Sequence, residues 1–137
     1  MPAGGALQAE TARLVREGKV LEGLTYLTSD FFPEPLRGPL RPVARLFARS
    51  MMPDDPNDML VTLDAEDVFD VQAGLGRITA PTLVVGGTRD RFYSTELFEG
   101  TAAGIPDGRA HLFDGWGHVR TASSSATTNL MLGFLLG

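Results

Sequence analysis

The chain has 137 residues, of which 43% are hydrophobic, and this length and apolar content suit one domain with a core of its own. Its 12 basic and 17 acidic residues give a net charge of -5, which argues against nucleic-acid binding because that binding needs clustered cations. The chain has no cysteine, so disulfides and thiolate chemistry are excluded.

Two helices are predicted at the start of the chain. Apolar residues recur at helical spacing over residues 7–17, and Gly18 then provides a typical helix end. A second apolar stripe begins at Val20 and is expected to stop before Pro33, because proline lacks the amide hydrogen that a continuing helix uses. This part of the chain therefore reads as a pair of helices.

A bend and a third helix are expected next. Prolines are dense over residues 33–42 and disfavour regular structure, and the helix is then predicted over residues 42–51. One side of that helix carries an arginine every four residues, at Arg41, Arg45 and Arg49. These arginines form either a docking face for an acidic partner or, as is commoner for such a pattern, a solvated face.

Two adjacent methionines, Met51 and Met52, close this helix. Methionine adapts to varied apolar shapes, so the pair could line a hydrophobic tunnel. We favour the simpler interpretation that both side chains fill the core.

An acidic loop is predicted over residues 54–58, which read Asp-Asp-Pro-Asn-Asp without the spacing of a calcium-binding loop. Asp64 then looks like a helix N-cap, with a further acid, Asp67, in the first turn. The helix that begins there is expected to end at Gly74 or Gly76.

A β-loop-α-β-loop unit organises the second half of the chain. Two short apolar runs, residues 82–85 and 110–113, read as strands, and each is followed by a glycine-bearing loop. The first loop leads to Asp90 and the second to His118. Between them, Ser94 is a suitable N-cap for a crossover helix.

The geometry of such a unit brings its two loops together. Strands joined by a crossover helix are expected to be parallel, with a right-handed connection, so their carboxyl ends lie at the same edge of the sheet. Open α/β sheets place their ligand sites at that edge. A carboxylate at Asp90 could then accept a hydrogen bond from Nδ1 of His118 and leave Nε2 as a general base.

One last helix is predicted after these loops. The serines at 123–125 can cap it, and its apolar residues share one face.

Several segments together resemble the C-terminal half of the α/β-hydrolase family. The matching residues are Asp70, Leu75, Ile78, the run Pro-Thr-Leu-Val-Val-Gly-Gly-Thr-Arg-Asp over residues 81–90, Ile105-Pro106 and Gly117-His118. The resemblance covers residues 65–137 and implies that Asp90 is the acid and His118 the base of a Ser-His-Asp triad. Residues 1–64 match loosely the helical lid that this family often inserts.

The nucleophile of that family is missing from this sequence. It lies in a Gly-x-Ser-x-Gly elbow upstream of the acid, and no such pentapeptide occurs here. Ser94 and the serines at 123–125 read as helix caps. The resemblance therefore implies a partial enzyme for small esters or related acyl compounds, inactive alone, which would bind such a substrate once an N-terminal half completes it. The alternative is a hydrolase-derived interaction or dimerisation domain without catalysis.

The expected fold class is α/β: two parallel C-terminal strands with flanking helices, preceded by a helical lid, with domains at 1–64 and 65–137. A sheet of two strands is marginal in water, so the free edge of the strand at 82–85 is expected to pair with a second copy or a complementary fragment. No cofactor is indicated.

The remaining ionisable residues near the two loops have simpler interpretations. His111 reads as an ordinary strand residue, and Asp114 either contacts His118 or caps a turn. These residues do not show a zinc spacing, so no metal site is assigned.

The sequence shows no targeting or membrane segment. The opening Met-Pro-Ala-Gly-Gly lacks the basic and apolar regions of a signal peptide, and no apolar run approaches the roughly 18 residues of a membrane span. We expect a cytoplasmic protein that does not enter membranes.

Overall fold

Helices dominate the computed structural model, which describes residues 5–137 apart from the side chain of Asp67. Most of the opening segment compared with a signal peptide lies outside these residues. The described elements are α1 (Ala6–Arg16), α2 (Val20–Ser29), α3 (Glu34–Arg37), α4 (Arg41–Ser50), α5 (Pro56–Val68), α6 (Gln72–Leu75), β1 (Thr82–Gly87), α7 (Thr95–Gly104), β2 (Gly108–Phe113), α8 (His118–Ser123) and α9 (Ser125–Leu136). Among the described helices, none has both the length and the apolar content that crossing a membrane requires.

The chain divides into two compact units, which meet at the bond between Phe69 and Asp70. This division lies close to the predicted boundary between 64 and 65, and the assignments of lid and core remain predictions.

The first unit is a group of helices. α1 packs on α2, α2 on α4, and α1 on α5. The two helices predicted at the start of the chain are present as α1 and α2, and Gly18 lies just beyond the end of α1. Their packing buries a small apolar core that consists of Val15, Val20, Leu24 and Ala48.

α4 buries only its smallest side chains. Ala44 and Ala48 are buried in this helix, whereas Met51 and Met52 are 45% and 43% exposed. The prediction that the two methionines fill the core is therefore wrong for the described chain, because the alanines provide the close contact between α4 and α2.

The proline-rich segment contains a short helix that was not predicted. α3 begins after Pro33, and Pro35 lies in its first turn. Proline is tolerated there because the first amides of a helix have no intrahelical acceptor.

α5 starts earlier than predicted. The carboxylate of Asp55 accepts a hydrogen bond from the amide of Asn57 at 2.8 Å, and Pro56 is the first helical residue. This combination of an aspartate cap and a following proline begins a helix within the segment predicted to be a loop.

Asp64 is consequently not an N-cap: it lies inside α5, and its side chain pairs with Arg16. α5 ends at Val68 and α6 is separate, so the single helix predicted up to Gly74 or Gly76 is also wrong.

The second unit is built on a parallel pair of strands. β1 and β2 are hydrogen bonded in register from Thr82 opposite Gly108 to Gly87 opposite Phe113. Each strand is two residues longer than predicted. α7 connects them and packs against both.

Serine caps begin two helices of this unit, α7 and α9. The Ser94 hydroxyl accepts a hydrogen bond from the amide of Leu97 at 3.2 Å at the start of α7, as predicted. The Ser124 hydroxyl accepts one from the amide of Ala126 at the start of α9, within the predicted serine cluster. α8 was not predicted, and it begins at His118.

Candidate active site

Asp90 is held by the turn that follows β1. Its amide donates to the carbonyl of Gly87 at 3.1 Å, which closes the turn. Oδ1 of its carboxylate accepts hydrogen bonds from the amides of Phe92, at 2.8 Å, and Tyr93, at 3.2 Å. The side chain is only 2% exposed. The carboxylate therefore has a fixed orientation, with Oδ2 left to point towards a second partner.

His118 is held at the start of α8, after the loop that follows β2. Gly115 turns this loop with φ at +70°, a conformation that glycine adopts without strain. Gly117 has an extended backbone and caps α8, and its carbonyl accepts hydrogen bonds from the amide and hydroxyl of Thr121, each at 3.0 Å. The imidazole is thereby carried by a helix start at the carboxyl end of β2.

The two side chains meet at the carboxyl ends of the strands. Nδ1 of His118 lies 2.9 Å from Oδ2 of Asp90. An ionised carboxylate can only accept, so this contact requires the proton on Nδ1 and leaves the Nε2 lone pair available. Nε2 has no hydrogen-bond partner among residues 5–137, and the side chain is 39% exposed. The arrangement can take a proton from a group that approaches Nε2.

Two aromatic rings flank the imidazole. The ring of Phe92 lies 4.5 Å from that of His118, between centroids, and the ring of Tyr93 lies at 5.9 Å. These residues therefore act twice, since their amides hold the Asp90 carboxylate and their rings restrict the His118 imidazole. Neither residue was predicted from the sequence. The available signal was Asp90 itself, because an aspartate in a loop often accepts hydrogen bonds from the amides that follow it in an Asx turn.

Close packing of the two loops requires glycine at position 87. A Cβ there would lie 2.2 Å from the carbonyl oxygen of Trp116 and 2.8 Å from Oγ1 of Thr121. Any larger residue would push the loop after β2 away from β1. Gly87 thus controls how closely the two loops approach.

The other candidates have partners outside the Asp90–His118 pair. His111 lies within β2, where its exposed ring contacts Phe113 at 4.6 Å. Asp114 accepts a hydrogen bond from the hydroxyl of Thr88 at 3.1 Å and makes no recorded contact with His118. Ser94 and Ser124 act as helix caps, so neither is placed as a nucleophile.

Trp116 packs against its own loop. Its ring stacks on that of Phe113 at 4.2 Å, and the guanidinium of Arg120 lies 4.3 Å from its centroid. The ring is thus held between an aromatic and a cationic side chain. This contact was not foreseen, because it depends on how α8 folds back over the loop.

Residues 5–137 contain no cluster of three or more acidic or histidine side chains that could hold a metal ion.

A curated relative matches half of the chain. The chain is 38% identical over 68 residues to the 2-hydroxy-6-oxononadienedioate/2-hydroxy-6-oxononatrienedioate hydrolase of Cupriavidus pinatubonensis. The match covers 50% of this chain and 24% of the relative. The chain thus spans about a quarter of that protein. No family model matches the sequence.

Solved structures match almost the whole chain. A bromoperoxidase from Bacillus anthracis has a TM-score of 0.71 at 22% identity, over 94% of this chain and 48% of its own. An esterase from Exiguobacterium antarcticum has a TM-score of 0.64 at 20% identity, over 95% and 48%. The 2-hydroxy-6-oxo-6-phenylhexa-2,4-dienoate hydrolase of a Rhodococcus species has a TM-score of 0.61 at 19% identity, over 96% and 49%.

These structures are α/β-hydrolases, and the chain spans about half the length of each. The predicted fold class is confirmed, since two parallel strands with flanking helices match that part of the fold. Nearly the whole chain matches about half of the α/β-hydrolase fold, which is consistent with a carboxyl-terminal portion of that fold.

Proposed function

We propose that this chain supplies the acid and the base of a Ser-His-Asp triad whose serine lies on another polypeptide segment. Asp90 would orient His118 and stabilise the imidazolium, and Nε2 of His118 would take the proton of the attacking hydroxyl. The observation that carries the proposal is the 2.9 Å contact between Nδ1 and Oδ2 at the carboxyl ends of two parallel strands. The reaction would be hydrolysis of a small ester or related acyl compound.

The location of the nucleophile outside the chain is supported by two facts. The sequence has no Gly-x-Ser-x-Gly pentapeptide, and the structural relatives are about twice as long as the part that matches. Without an attacking group, a base has nothing to activate except water. We therefore expect the chain alone to hydrolyse acyl substrates inefficiently.

Complementation tests this proposal directly. The chain would be produced together with the part of the Cupriavidus relative that lies outside the matched residues, and the hydrolysis of p-nitrophenyl acetate would be measured. We expect activity from the combination, its loss in His118→Ala and Asp90→Ala, and its retention in His111→Ala, the matched histidine control. The compound in that relative's name, 2-hydroxy-6-oxononadienedioate, would be assayed in parallel.

Two results would count against the proposal. A combination that assembles and hydrolyses the ester equally well with His118→Ala would remove the role of the base. A His118-dependent burst of p-nitrophenol from the chain alone, the sign of an acyl-enzyme, would show that a nucleophile lies within these 137 residues.

A second candidate function is a non-catalytic interaction or dimerisation domain. The feature that favours it is the two-stranded sheet, because a sheet of this size is marginal in water and leaves a strand edge free to pair. Under this alternative, His118→Ala leaves association and any biological effect intact, whereas the catalytic proposal requires the effect to disappear.

The protein's cellular location is also a proposal. A cytoplasmic location is supported by the described part of the chain, residues 5–137, in which no helix is long and apolar enough to cross a membrane.

A further inference from the structure

Four hydrogen bonds tie the loop after β1 to the loop after β2. Two join backbone groups: the amide of Thr88 donates to the carbonyl of Phe113 at 3.0 Å, and the amide of Arg89 donates to that of Trp116 at 2.9 Å. The other two use the side chain of Thr88. Its hydroxyl donates to Oδ1 of Asp114 at 3.1 Å and accepts from the amide of Gly115 at 2.8 Å.

The Thr88 hydroxyl is therefore used as donor and acceptor at once. A hydroxyl that receives an amide hydrogen from one side and gives its own proton to a carboxylate has a defined orientation. The donor bond ends on a carboxylate oxygen, and at 3.1 Å it is long for a hydrogen bond between two oxygens. Both partners belong to the loop after β2, whereas Thr88 belongs to the loop after β1.

This tie lies close to both members of the acid and base pair. Thr88 is two residues before Asp90, and Gly115 is three residues before His118. Gly115 is also the residue at which the second loop turns, with φ at +70°. Fixing its amide fixes the direction in which the chain leaves the turn, and hence the place where α8 and its first residue begin.

We propose that Thr88 is a positioning residue that holds the imidazole of His118 against Asp90 through the loop after β2. It touches neither reacting atom, and it acts by limiting how far the two loops can separate. Any effect of Thr88 on catalysis rests on the proposed function, because positioning His118 against Asp90 matters for catalysis only if this pair is catalytic. The positioning itself can be measured without any activity.

The experiment compares variants of Thr88 in the full chain by proton NMR of the His118 Nδ1 hydrogen. Thr88→Val keeps the shape and loses both side-chain bonds, Thr88→Ser keeps the hydroxyl, and Asp114→Ala removes only the acceptor. Thr82→Val is the matched control, since the Thr82 hydroxyl bonds to the carbonyl of Ala80 at the opposite end of β1.

We expect the Nδ1 hydrogen to exchange with water roughly threefold to tenfold faster in Thr88→Val, the range that one or two lost hydrogen bonds imply. The exchange rate in Thr88→Ser and Thr82→Val should equal that of the unmodified chain. The rate in Asp114→Ala should lie between those of the unmodified chain and Thr88→Val. Unchanged exchange in Thr88→Val, or failure of Thr88→Ser to restore it, would overturn the proposal.

The outcome separates this inference from the proposed function. If complementation produces no ester hydrolysis but the exchange rates follow the expected order, the positioning stands and the catalytic role fails. If the amide spectrum shows that Thr88→Val is unfolded, Asp114→Ala becomes the test of positioning. This variant removes only the bond donated by the Thr88 hydroxyl and keeps the bond from the Gly115 amide. Exchange in Asp114→Ala that equals that of the unmodified chain would then reject the proposal.

Discussion

Asp90 illustrates how much of this site is decided at the scale of single residues. Its carboxylate accepts two backbone hydrogen bonds at one oxygen and faces the imidazole with the other. The sequence predicted that Asp90 and His118 meet, because each follows a strand and a glycine-bearing loop. It could not show the ring contacts of Phe92 and Tyr93 with His118, or the side-chain bonds of Thr88, since these depend on how two loops pack against each other.

Replacing Asp90 by asparagine should reverse the imidazole tautomer. In Asp90→Asn the amide oxygen can keep the two backbone hydrogen bonds, and the amide nitrogen then faces Nδ1 of His118. Because that nitrogen is a donor, Nδ1 must accept and the proton moves to Nε2. Nitrogen-15 chemical shifts of the imidazole measure this directly.

The control for this experiment is the second histidine. His111 is in β2 and contacts Phe113, so its shifts should not change. A proton that stays on Nδ1 of His118 in Asp90→Asn would contradict the assigned contact.

Adding one methyl group at position 87 should destabilise the chain. The new Cβ in Gly87→Ala would lie 2.2 Å from the carbonyl oxygen of Trp116, which is backbone and can move only with its loop. We expect a loss of about 1–3 kcal/mol in the free energy of unfolding, the usual range for overpacking. Urea denaturation followed by circular dichroism measures it.

Gly100→Ala is the matched glycine variant. This residue lies within α7, and a Cβ there meets nothing within 4 Å. Alanine favours the helix, so the free energy of unfolding should rise by up to about 1 kcal/mol. Equal effects of the two substitutions would show that the loop contact at Gly87 is unimportant.

At the scale of elements, the sequence succeeded where a cap and a hydrophobic pattern agree. Ser94 and α7 were predicted together, and the structure confirms both. The start of α5 was missed because two aspartates could each act as a cap, and Asp55 was assigned to a loop in favour of Asp64. The choice depends on Pro56 and on the pairing of Asp64 with Arg16, which lies far away in the sequence.

A buried ion pair supports the link between α2 and α3. Arg37 donates to Asp30 at 2.7 Å, and the side chain of Asp30 is 2% exposed. Arg37→Met removes the cation and leaves a buried carboxylate, so the free energy of unfolding should fall by about 2 kcal/mol or more. Chemical denaturation at neutral pH measures the change.

Arg13→Met is the control for that ion pair. Arg13 pairs with Glu10 and Glu17 on the exposed face of α1, and its hydrogen bond holds the pKa of Glu10 below the ordinary value. Exposed pairs contribute little because water and salt screen them, so this variant should be close to the unmodified chain. A larger effect from Arg13 than from Arg37 would contradict the argument from burial.

At the scale of the whole molecule, β1 has the composition of an interior strand. Leu83, Val84 and Val85 are apolar on both faces of the sheet, as in parallel strands that have neighbours on each side. β2 instead carries Arg109 and His111, which suit an edge. The sequence predicted this pair of strands correctly, and within residues 5–137 no third strand pairs with β1.

We predict that the free edge of β1 associates. At increasing concentration, sedimentation should show dimers of the chain, or a complex when a complementary fragment is present. Val84→Lys should reduce this association, because a charge in the strand opposes pairing. Val61→Lys, on the exposed side of α5, is the matched control and should leave it unchanged. A stable monomer at all concentrations, with no complex formed, would contradict the prediction.

The hydrogen bonds of Asp90 also bear on the order in which the chain folds. Its carboxylate is held by amides two and three residues away, whereas its contact with His118 spans 28 residues. Contacts over short separations form first, because they close the smallest loops. The Asp90 carboxylate should therefore adopt its final orientation early in folding, and the His118 imidazole should dock later against a carboxylate that is already oriented.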